Sequence, residues 1–373
     1  MRPAYVIVPF LTDLIRQYGY DAILFDQYGV LHDGRRAHLW AEYCVRQLHR
    51  VGIPCAVISN SSRLQHETLR QLESLGYERE WWQGAVTSGQ LVHDALVQRR
   101  ASERQRRNGV LPPTRVLHIN WGDRGRALLP TTDAARPTAD YWPVGAEART
   151  AELIVTHGTE GVTEPDGTSV RPLPPPDIDR LLRVGAERRV PLWCANPDWV
   201  TVVGGVNVTM PGTLAQQYEQ YLREHGGCDA AQVQQLITYF GKPYPITYEA
   251  ARRVLRPATQ RVSAERRAWV QLPRGKGKHR HVPRTARDGV RILAVGDSLE
   301  HDIAGGHAAN MDTLFIAGGI YGEEYFGLPA DALGSERVQR PGPCTVREAD
   351  MERLLRDTNA KVRPTFVSAY LRW

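Results

Sequence analysis

The feature that most constrains the fold is a regular alternation of short, continuous apolar runs with amphipathic helical stretches. Apolar runs at 21–26, 53–58 and 84–88 are separated by helical patterns near 38–50 and 64–75. This alternation predicts parallel strands joined by crossover helices, and uninterrupted apolar strands indicate a sheet that is covered on both faces. We therefore predict an α/β protein built on a doubly wound parallel sheet.

The middle of the chain repeats the same pattern. Apolar runs at 115–120, 151–156 and 190–195 are accompanied by a helical stretch at 177–188, before the pattern of the first sheet resumes at 291–295. A chain of 373 residues has room for two domains of ordinary size. We predict a second α/β unit that is inserted into the first.

The composition of the chain indicates the cellular compartment of the protein. No apolar run approaches the roughly 18 residues that span a bilayer, and the first residues lack the pattern of a cleavable signal. The five cysteines are scattered and form no CxxC pair, which predicts reduced thiols rather than a disulfide framework or a zinc site. We predict a cytoplasmic protein without a membrane partner.

The positive charge of the chain is local. Residues 256–289 contain ten arginines or lysines and two acids, a charge of +8, whereas the net charge of the whole chain is +6. Trp269 is the only aromatic residue in this segment, so the interleaved aromatics of a nucleic-acid stacking surface are missing. We interpret 256–289 as a solvated basic insertion and do not favour a nucleic-acid partner.

Polar residues follow three of the predicted strands, at the edge where parallel α/β sheets bind ligands. Asp26 ends the first apolar run, Ser59 and Asn60 follow the second, and Asp297 and Asp302 follow the run at 291–295. Carboxylates of this kind can attack phosphorus or hold Mg²⁺ through hard oxygen ligands.

Between the second and third of these strand ends lies Lys242, flanked by a glycine and a proline. A lysine, a hydroxyl and the backbone N–H groups at a helix start can neutralise the charge on phosphoryl oxygens. The four segments together predict phosphoryl transfer through an aspartyl-phosphate.

Four ordered motifs resemble those of the haloacid dehalogenase superfamily. They are DQYGVLHDG (26–34), ISNSS (58–62), GKP (241–243) and GDSLEHD (296–302). CANPDW (194–199) and GTLAQQYEQ (212–220) are similar to class IIA, in which a C2-type cap lies between the second and third motifs. The resemblance covers about residues 20–320.

The resemblance implies a Rossmann-like core and an inserted α/β C2-type cap. It places the first part of the core at 1–90, the cap at 91–212, and the second part of the core at 213–373 with the basic insertion and a tail. It implies a Mg²⁺-dependent phosphatase of a small phosphorylated metabolite. Whether the protein is a homodimer is left open.

The resemblance also assigns roles to residues. Asp26 would be the nucleophile and, with the Tyr28 carbonyl, Asp297 and a supporting Asp302, would hold Mg²⁺. Lys242 would act in catalysis. The residues expected to hold the phosphoryl group or the rest of the substrate are Ser59, Asn60, Lys242, Asn196 and Asp198.

One position departs from the family pattern. Phosphatases of this family usually carry a second aspartate, the general acid, two residues after the nucleophile, and Tyr28 stands at that position here. His32 and Asp33 are near enough in sequence to compensate, although turn residues of this kind need no catalytic role. Because the missing aspartate is the general acid, this departure affects the expected rate of turnover and the expected class of substrate.

Alternative functions remain at this point. The GDSL stretch at 296–299 suggests a serine esterase, but it comes late and no Asp-x-x-His pair follows it. A C–P bond-cleaving relative would need a lysine for a Schiff base, and no lysine occurs from residue 1 to 241. A weakly active or non-catalytic phospho-ligand-binding protein, or an enzyme of this superfamily with a non-standard substrate, is also compatible with Tyr28.

Overall fold

The structure is a computed structural model that describes residues 5–107, 111–122, 125–133, 135–136, 138–203, 206–260, 284, 289–328 and 346–373. Most of the basic insertion 256–289 therefore lies outside the described residues. Among the described helices, none is both long and apolar enough to cross a bilayer. The described cysteines, Cys44, Cys55, Cys194 and Cys228, are buried and free.

The strands and helices follow in chain order. The strands are β1 Val6–Ile7, β2 Ala22–Phe25, β3 Cys55–Ser59, β4 Trp82–Thr87, β5 Thr114–Asn120, β6 Tyr141–Pro143, β7 Leu153–Thr156, β8 Gly161–Thr163, β9 Val170–Pro172, β10 Leu192–Cys194, β11 Val200–Val203, β12 Val206–Thr209, β13 Ile237–Tyr239, β14 Ile292–Gly296, β15 Asp312–Ile316 and β16 Phe366–Ser368. The α-helices are α1 Leu11–Tyr18, α2 Leu39–Arg50, α3 Gln65–Ser74, α4 Ser88–Arg107, α5 Pro175–Glu187, α6 Pro211–Glu224, α7 Ala230–Leu236, α8 Pro245–Thr259, α9 Ala304–Ala308, α10 Gly322–Phe326 and α11 Glu348–Asp357. A π-helical turn, Leu299–Ile303, precedes α9.

The chain divides into two compact units. The first unit comprises 1–59, 66–86 and 242–373, and the second comprises 60–65 and 87–241. Each unit contains its own sheet and its own buried core.

The first unit is built on one sheet in the order β1-β16-β15-β14-β2-β3-β4. The pairs from β1 to β3 along this order are parallel. Successive side chains of its strands alternate between two hydrophobic clusters: Leu314 and Ile316 belong to one cluster, and Phe315 belongs to the other. The sheet is therefore covered on both faces, which confirms the predicted α/β core with a doubly wound, Rossmann-like sheet.

The second unit has a mixed sheet in the order β13-β10-β7-β5-β8-β9, with β6 paired to β5. The pairs β13–β10, β10–β7 and β7–β5 are parallel, while β8 and β9 run antiparallel to their neighbours. Helices α5 and α6 pack through Ile178, Leu182 and Tyr218 onto this sheet's core. A separate antiparallel hairpin is formed by β11 and β12.

The predicted domain boundaries stay predictions, and the compact units divide the chain at other positions. Residues 60–65 belong to the second unit, which resumes at residue 87 rather than at residue 91. The second boundary was expected at residue 212, whereas the second unit continues to residue 241. The reason is long-range pairing: Ile237 lies beside Leu192 in the second sheet, and Leu214 and Tyr218 belong to its core.

Candidate active site

Asp26 and Asp297 lie at the carboxyl ends of two neighbouring parallel strands. The register of β2 and β14 places Phe25 opposite Val295, and the Asp26 N–H donates to the Val295 carbonyl oxygen over 2.9 Å. The side chains that follow these two strands therefore meet at one edge of the sheet. Asp26 is only 9% exposed and Asp297 only 3% exposed.

Lys242 joins two carboxylates of this edge. Its Nζ donates to Asp26 Oδ1 over 2.6 Å and to Asp302 Oδ1 over 2.7 Å. The lysine is 3% exposed, so its ammonium group is compensated by these carboxylates rather than by water. Lys242 lies three residues before Pro245, the first residue of α8, and a proline is well suited to the first turn of a helix.

Asp302 is held by the π-helical turn after β14. Its Oδ2 accepts a hydrogen bond from the Ser298 N–H over 3.1 Å, while its Oδ1 accepts from Lys242. A Cβ on Gly296 would lie 2.1 Å from the Asp302 carboxyl carbon, so only glycine allows the turn to fold the carboxylate back against the strand end. Asp302 thus fixes the position of Lys242.

Two glycines enclose the Asp297 carboxylate. A Cβ on Gly29 would lie 1.9 Å from Asp297 Oδ2, and one on Gly319 would lie 2.2 Å from the same oxygen. Gly29 also has a φ of +78°, a conformation that favours glycine. The Ile320 N–H donates to Asp297 Oδ2 over 2.9 Å. The carboxylate is therefore closely surrounded by backbone.

Burial and mutual repulsion govern the charges of this cluster. Burial raises the pKa of Asp26 above the usual carboxyl value, although the charge of Lys242 opposes this. Burial raises the pKa of Asp297 well above its usual value, and the negative charges of Asp26 and Asp302 raise it further. Burial alone would lower the pKa of Lys242, but Asp26 and Asp302 outweigh it, so the lysine stays charged.

The three carboxylates form a group that could hold a metal ion. One oxygen each from Asp26, Asp297 and Asp302 lies within 4.8 Å of the others, and all three residues are buried. An all-oxygen donor set fits Mg²⁺ and lacks the histidine or cysteine ligands that zinc prefers. When all three carboxyl groups are ionised, the charge of one lysine leaves an excess of negative charge, and a divalent cation would neutralise it.

Tyr28 lies beside the cluster but is 44% exposed. Burial of part of its side chain, and then the charges of Asp33 and Asp297, raise the pKa of its phenol above the usual value. The phenol is therefore protonated at neutral pH. It does not lose and regain a proton near that pH, as the carboxyl group of a general acid/base does.

His32 and Asp33, the two residues near enough in sequence to compensate for Tyr28, both form hydrogen bonds within the turn after β2. His32 Nδ1 accepts from the Gly34 N–H over 3.0 Å, and the His32 carbonyl accepts from the Gly29 N–H over 2.9 Å. Asp33 Oδ1 accepts from the N–H groups of Arg35 and Arg36 over 2.8 Å and 2.7 Å. These bonds give both side chains a turn-forming role.

The predicted binding residues divide between the two units. Ser59 ends β3 in the first unit and is 7% exposed. In the second unit, Asn60 Nδ2 donates to Asp198 Oδ1 over 2.7 Å, and the Asp198 N–H donates to Asn196 Oδ1 over 2.9 Å. The structure thus connects Asn60, Asp198 and Asn196 in one hydrogen-bonded chain.

Gly241, the residue before Lys242, has a φ of +138°. A Cβ at this position would lie 2.6 Å from Asn60 Oδ1 and 2.6 Å from Pro197 Cδ. A side chain at position 241 would clash with these atoms of the second unit, so the GKP motif requires glycine at this position.

Sequence reasoning missed Gly319 and Ile320, which surround Asp297. It also missed Tyr248, whose hydroxyl donates to the carbonyl oxygens of His301 and Asp302 over 3.1 Å and 3.3 Å. A signal for the first two was present, because Gly318-Gly319 directly follows the apolar run of β15. Nothing in the sequence near Tyr248 indicates that its hydroxyl binds the turn at His301, which lies more than 50 residues away.

Two segments of the chain match known sequence families. Residues 23–114 match the family described as haloacid dehalogenase-like hydrolase, and residues 239–332 match the family described as HAD-hydrolase-like. The first segment contains Asp26 and the second contains Lys242, Asp297 and Asp302. No curated protein matches the sequence of this chain.

Solved structures share the fold at low sequence identity. A haloacid dehalogenase-like hydrolase from Brucella suis is 22% identical with a TM-score of 0.57, covering 98% of this chain and 100% of its own. A possible sugar phosphatase from Cytophaga hutchinsonii is 17% identical with a TM-score of 0.57 and covers 98% of both chains. A p-nitrophenyl phosphatase from Archaeoglobus fulgidus is 14% identical with a TM-score of 0.50, covering 93% of this chain and 95% of its own.

Proposed function

We propose that this chain, which belongs to the haloacid dehalogenase-like hydrolases, is a Mg²⁺-dependent phosphatase of a small phosphorylated metabolite with Asp26 as its nucleophile. The observation that carries the proposal is the bridging of Asp26 and Asp302 by Lys242 beside Asp297. The sugar phosphatase and p-nitrophenyl phosphatase among the structural relatives support this class of reaction.

The proposed reaction has two displacements at phosphorus. The Asp26 carboxylate attacks the phosphorus atom, the bond from phosphorus to the leaving oxygen breaks, and an aspartyl-phosphate forms. Water then attacks the same phosphorus atom, which releases inorganic phosphate and restores the Asp26 carboxylate. Both steps build negative charge on the phosphoryl oxygens.

Residues of the first unit supply the countercharge and the positioning. Lys242, held against Asp26 by Asp302, is placed to neutralise the phosphoryl oxygens, and Ser59 offers a hydroxyl at the next strand end. We propose that Asp26, Asp297 and the Tyr28 carbonyl hold Mg²⁺, with Asp302 in support. The bound ion would contribute charge neutralisation and in-line orientation of the phosphoryl group.

The second unit is proposed to be the C2-type cap of class IIA proteins. It comprises the chain between the second and third motifs except residues 66–86, which belong to the first unit. Asn60, Asn196 and Asp198 are proposed to bind phosphate or substrate, as the resemblance implies. The substrate itself stays at the level of a small phosphorylated metabolite.

Chelation of metal should abolish phosphate release from p-nitrophenyl phosphate, and added Mg²⁺ should restore it. Asp297→Ala should behave like chelation, with a loss on the order of 10²-fold or more, because it removes a buried oxygen ligand and with it much of the metal's transition-state stabilisation. Zinc should substitute poorly, since the donor set is all oxygen.

The matched control for Asp297→Ala is Asp177→Ala, which removes an exposed carboxylate on α5 and should leave the rate unchanged. Full activity of the wild-type chain in excess EDTA would refute the metal requirement. Full activity of Asp297→Ala would refute the assignment of this residue.

Tyr28 should make the rate strongly dependent on the leaving group. A positioned general acid contributes about 10²- to 10⁴-fold to proton transfer, and the protonated phenol of Tyr28 is a poor substitute near neutral pH. We expect aryl, enol or acyl phosphates to be hydrolysed faster than alkyl phosphates. Tyr28→Asp should raise the rate on alkyl phosphates, and Tyr28→Phe should change it little.

The slope of rate against leaving-group pKa for the wild type and these two variants decides the role of Tyr28. A flat slope in the wild type would mean that another residue, His32 first among candidates, supplies the proton. A loss on every substrate in both variants would show that the Tyr28 phenol has its own catalytic role.

Tyr28 also favours a second candidate function. Without a general acid, the same cluster could bind a phosphorylated ligand and turn it over slowly, as a weakly active or non-catalytic binding protein. Multiple-turnover phosphate release from an aryl phosphate in Mg²⁺ distinguishes these functions. A non-catalytic binding protein would stop after at most one equivalent, whereas a weakly active protein would pass one equivalent only slowly.

A further inference from the structure

A cavity of about 500 Å³ lies in the second unit, between the last turns of α4 and the start of β5. The residues that line it are Arg99, Arg100, Glu103, Arg106, Arg107, Leu111, Pro112, Pro113, Thr114 and Glu152. Its volume falls within the roughly 300–1,000 Å³ that is typical of small-molecule sites.

One face of α4 forms the charged wall of this cavity. Residues 99, 100, 103, 106 and 107 recur at the spacing of a single helical face, and four of the five are arginines. A helix that faces its own protein usually presents apolar side chains on that side. The end of α4 instead turns guanidinium groups toward an open space.

Two of the arginines and both acids are already paired. Arg100 is 3% exposed, and its Nε lies 3.2 Å from Asp140 Oδ1. Arg99 Nε lies 3.0 Å from Glu103 Oε1. Glu152 Oε2 accepts from the Arg115 N–H over 2.9 Å, and its Oε1 lies 3.6 Å from Arg115 Nη2.

Arg106 and Arg107 carry the positive charge of the cavity that its carboxylates do not compensate. Both side chains are exposed, and neither forms an ion pair or a hydrogen bond with any residue in the part of the chain that the structure describes. Since the carboxylates of the lining already have arginine partners, the cavity has a net positive charge. A planar guanidinium group binds a phosphate group through two parallel hydrogen bonds.

We propose that this cavity binds a polyphosphate chain, with Arg106 and Arg107 each holding a phosphate group. Two arginines that line the same cavity match two or more linked phosphates, and the cavity has more room than a single phosphate would fill. Inorganic polyphosphate and a nucleoside triphosphate both contain such linked phosphate groups. The residues involved belong to the second unit.

A structural role for these arginines makes a different prediction. Basic side chains in the last turn of a helix interact favourably with its dipole, and on this alternative Arg106 and Arg107 act only on the stability of α4. That role would not require an open, positively charged cavity on the same helical face.

Calorimetric titration of the full chain with inorganic tripolyphosphate in EDTA tests the proposal. The chelator withholds the metal that the proposed catalytic site needs, so a failure here leaves the phosphatase proposal untouched. We expect the wild-type chain to bind, and R106Q/R107Q to bind at least about 10-fold more weakly, because two charge-assisted contacts are lost.

The control R180Q/R223Q removes the same charge from exposed arginines on α5 and α6 and should keep the wild-type affinity. Parallel titration with ATP distinguishes the sources: tighter binding of ATP identifies a nucleotide, and tighter binding of tripolyphosphate identifies the inorganic chain. The single variants R106Q and R107Q, each expected to be weaker than wild type, replace the double variant if it fails to fold.

Three results would overturn the proposal. One is the absence of binding by the wild-type chain, and another is equal affinity in R106Q/R107Q and the control. The third is orthophosphate binding as tightly as tripolyphosphate. A lower midpoint of thermal unfolding in R106Q/R107Q without a change in affinity would assign the arginines to the helix dipole instead.

Discussion

Asp26→Asn should lower the rate of Mg²⁺-dependent phosphate release by about 10⁴- to 10⁶-fold, as expected when the nucleophile of a covalent mechanism is removed. An amide oxygen is a poor nucleophile toward phosphorus, but asparagine has the same shape and retains an oxygen that accepts from Lys242 Nζ. The variant should therefore stay folded and keep much of its affinity for phosphate.

The matched control is Asp21→Asn, the same substitution at the other end of β2, where Asp21 accepts from the Arg291 N–H. This control should retain the wild-type rate. During turnover, wild-type protein quenched in acid should contain a peptide around Asp26 that is heavier by one phosphoryl group, and Asp26→Asn should contain none. If Asp26→Asn kept more than about 1% of the wild-type rate, the aspartyl-phosphate mechanism would be wrong.

Lys242→Met should damage both activity and stability. The lysine is 3% exposed and bridges two carboxylates, so its removal leaves buried negative charge without a partner. Breaking a buried ion pair in this way costs about 3–5 kcal/mol of the free energy of unfolding. Loss of its charge from the transition state should lower the rate by a further factor on the order of 10²–10³.

Denaturant unfolding in EDTA and in Mg²⁺ separates these effects. In EDTA, Lys242→Met should be much less stable than the wild-type chain, and Mg²⁺ should restore part of the difference because a divalent cation neutralises the same carboxylates. Lys361→Met, which removes an exposed lysine, is the control and should unfold like the wild type. Equal stability of Lys242→Met and wild type in EDTA would show that the bridge contributes little.

Much of the first unit could be predicted from local pattern. The continuous apolar runs at 21–26, 53–58, 84–88 and 291–295 predict β2, β3, β4 and β14, and the structure confirms the parallel α/β core to which they belong. Strands of two or three residues carry too little periodicity to be recognised. For this reason the pattern gives no prediction of β1, and it places β16, which pairs with β1 and β15, only within a tail.

The sequence by itself determined where the chemistry could lie. Because the carboxyl ends of parallel strands share one edge of a sheet, Asp26, Ser59 and Asp297 could be assigned to that edge from the apolar runs that precede them. The order of the four motifs added Lys242 and Asp302 to the candidates.

Only the tertiary structure decided how these residues interact. Lys242 lies 216 residues from Asp26 and 60 from Asp302 in sequence, and nothing local to it indicates which carboxylates it bridges. The close approach of Gly29 and Gly319 to Asp297, and the pairing of β13 with β10 in the second unit, likewise depend on distant segments. Hydrophobic periodicity is a local property of the chain, whereas buried ion pairs, backbone approaches and strand partners are set by packing between segments that the sequence leaves far apart.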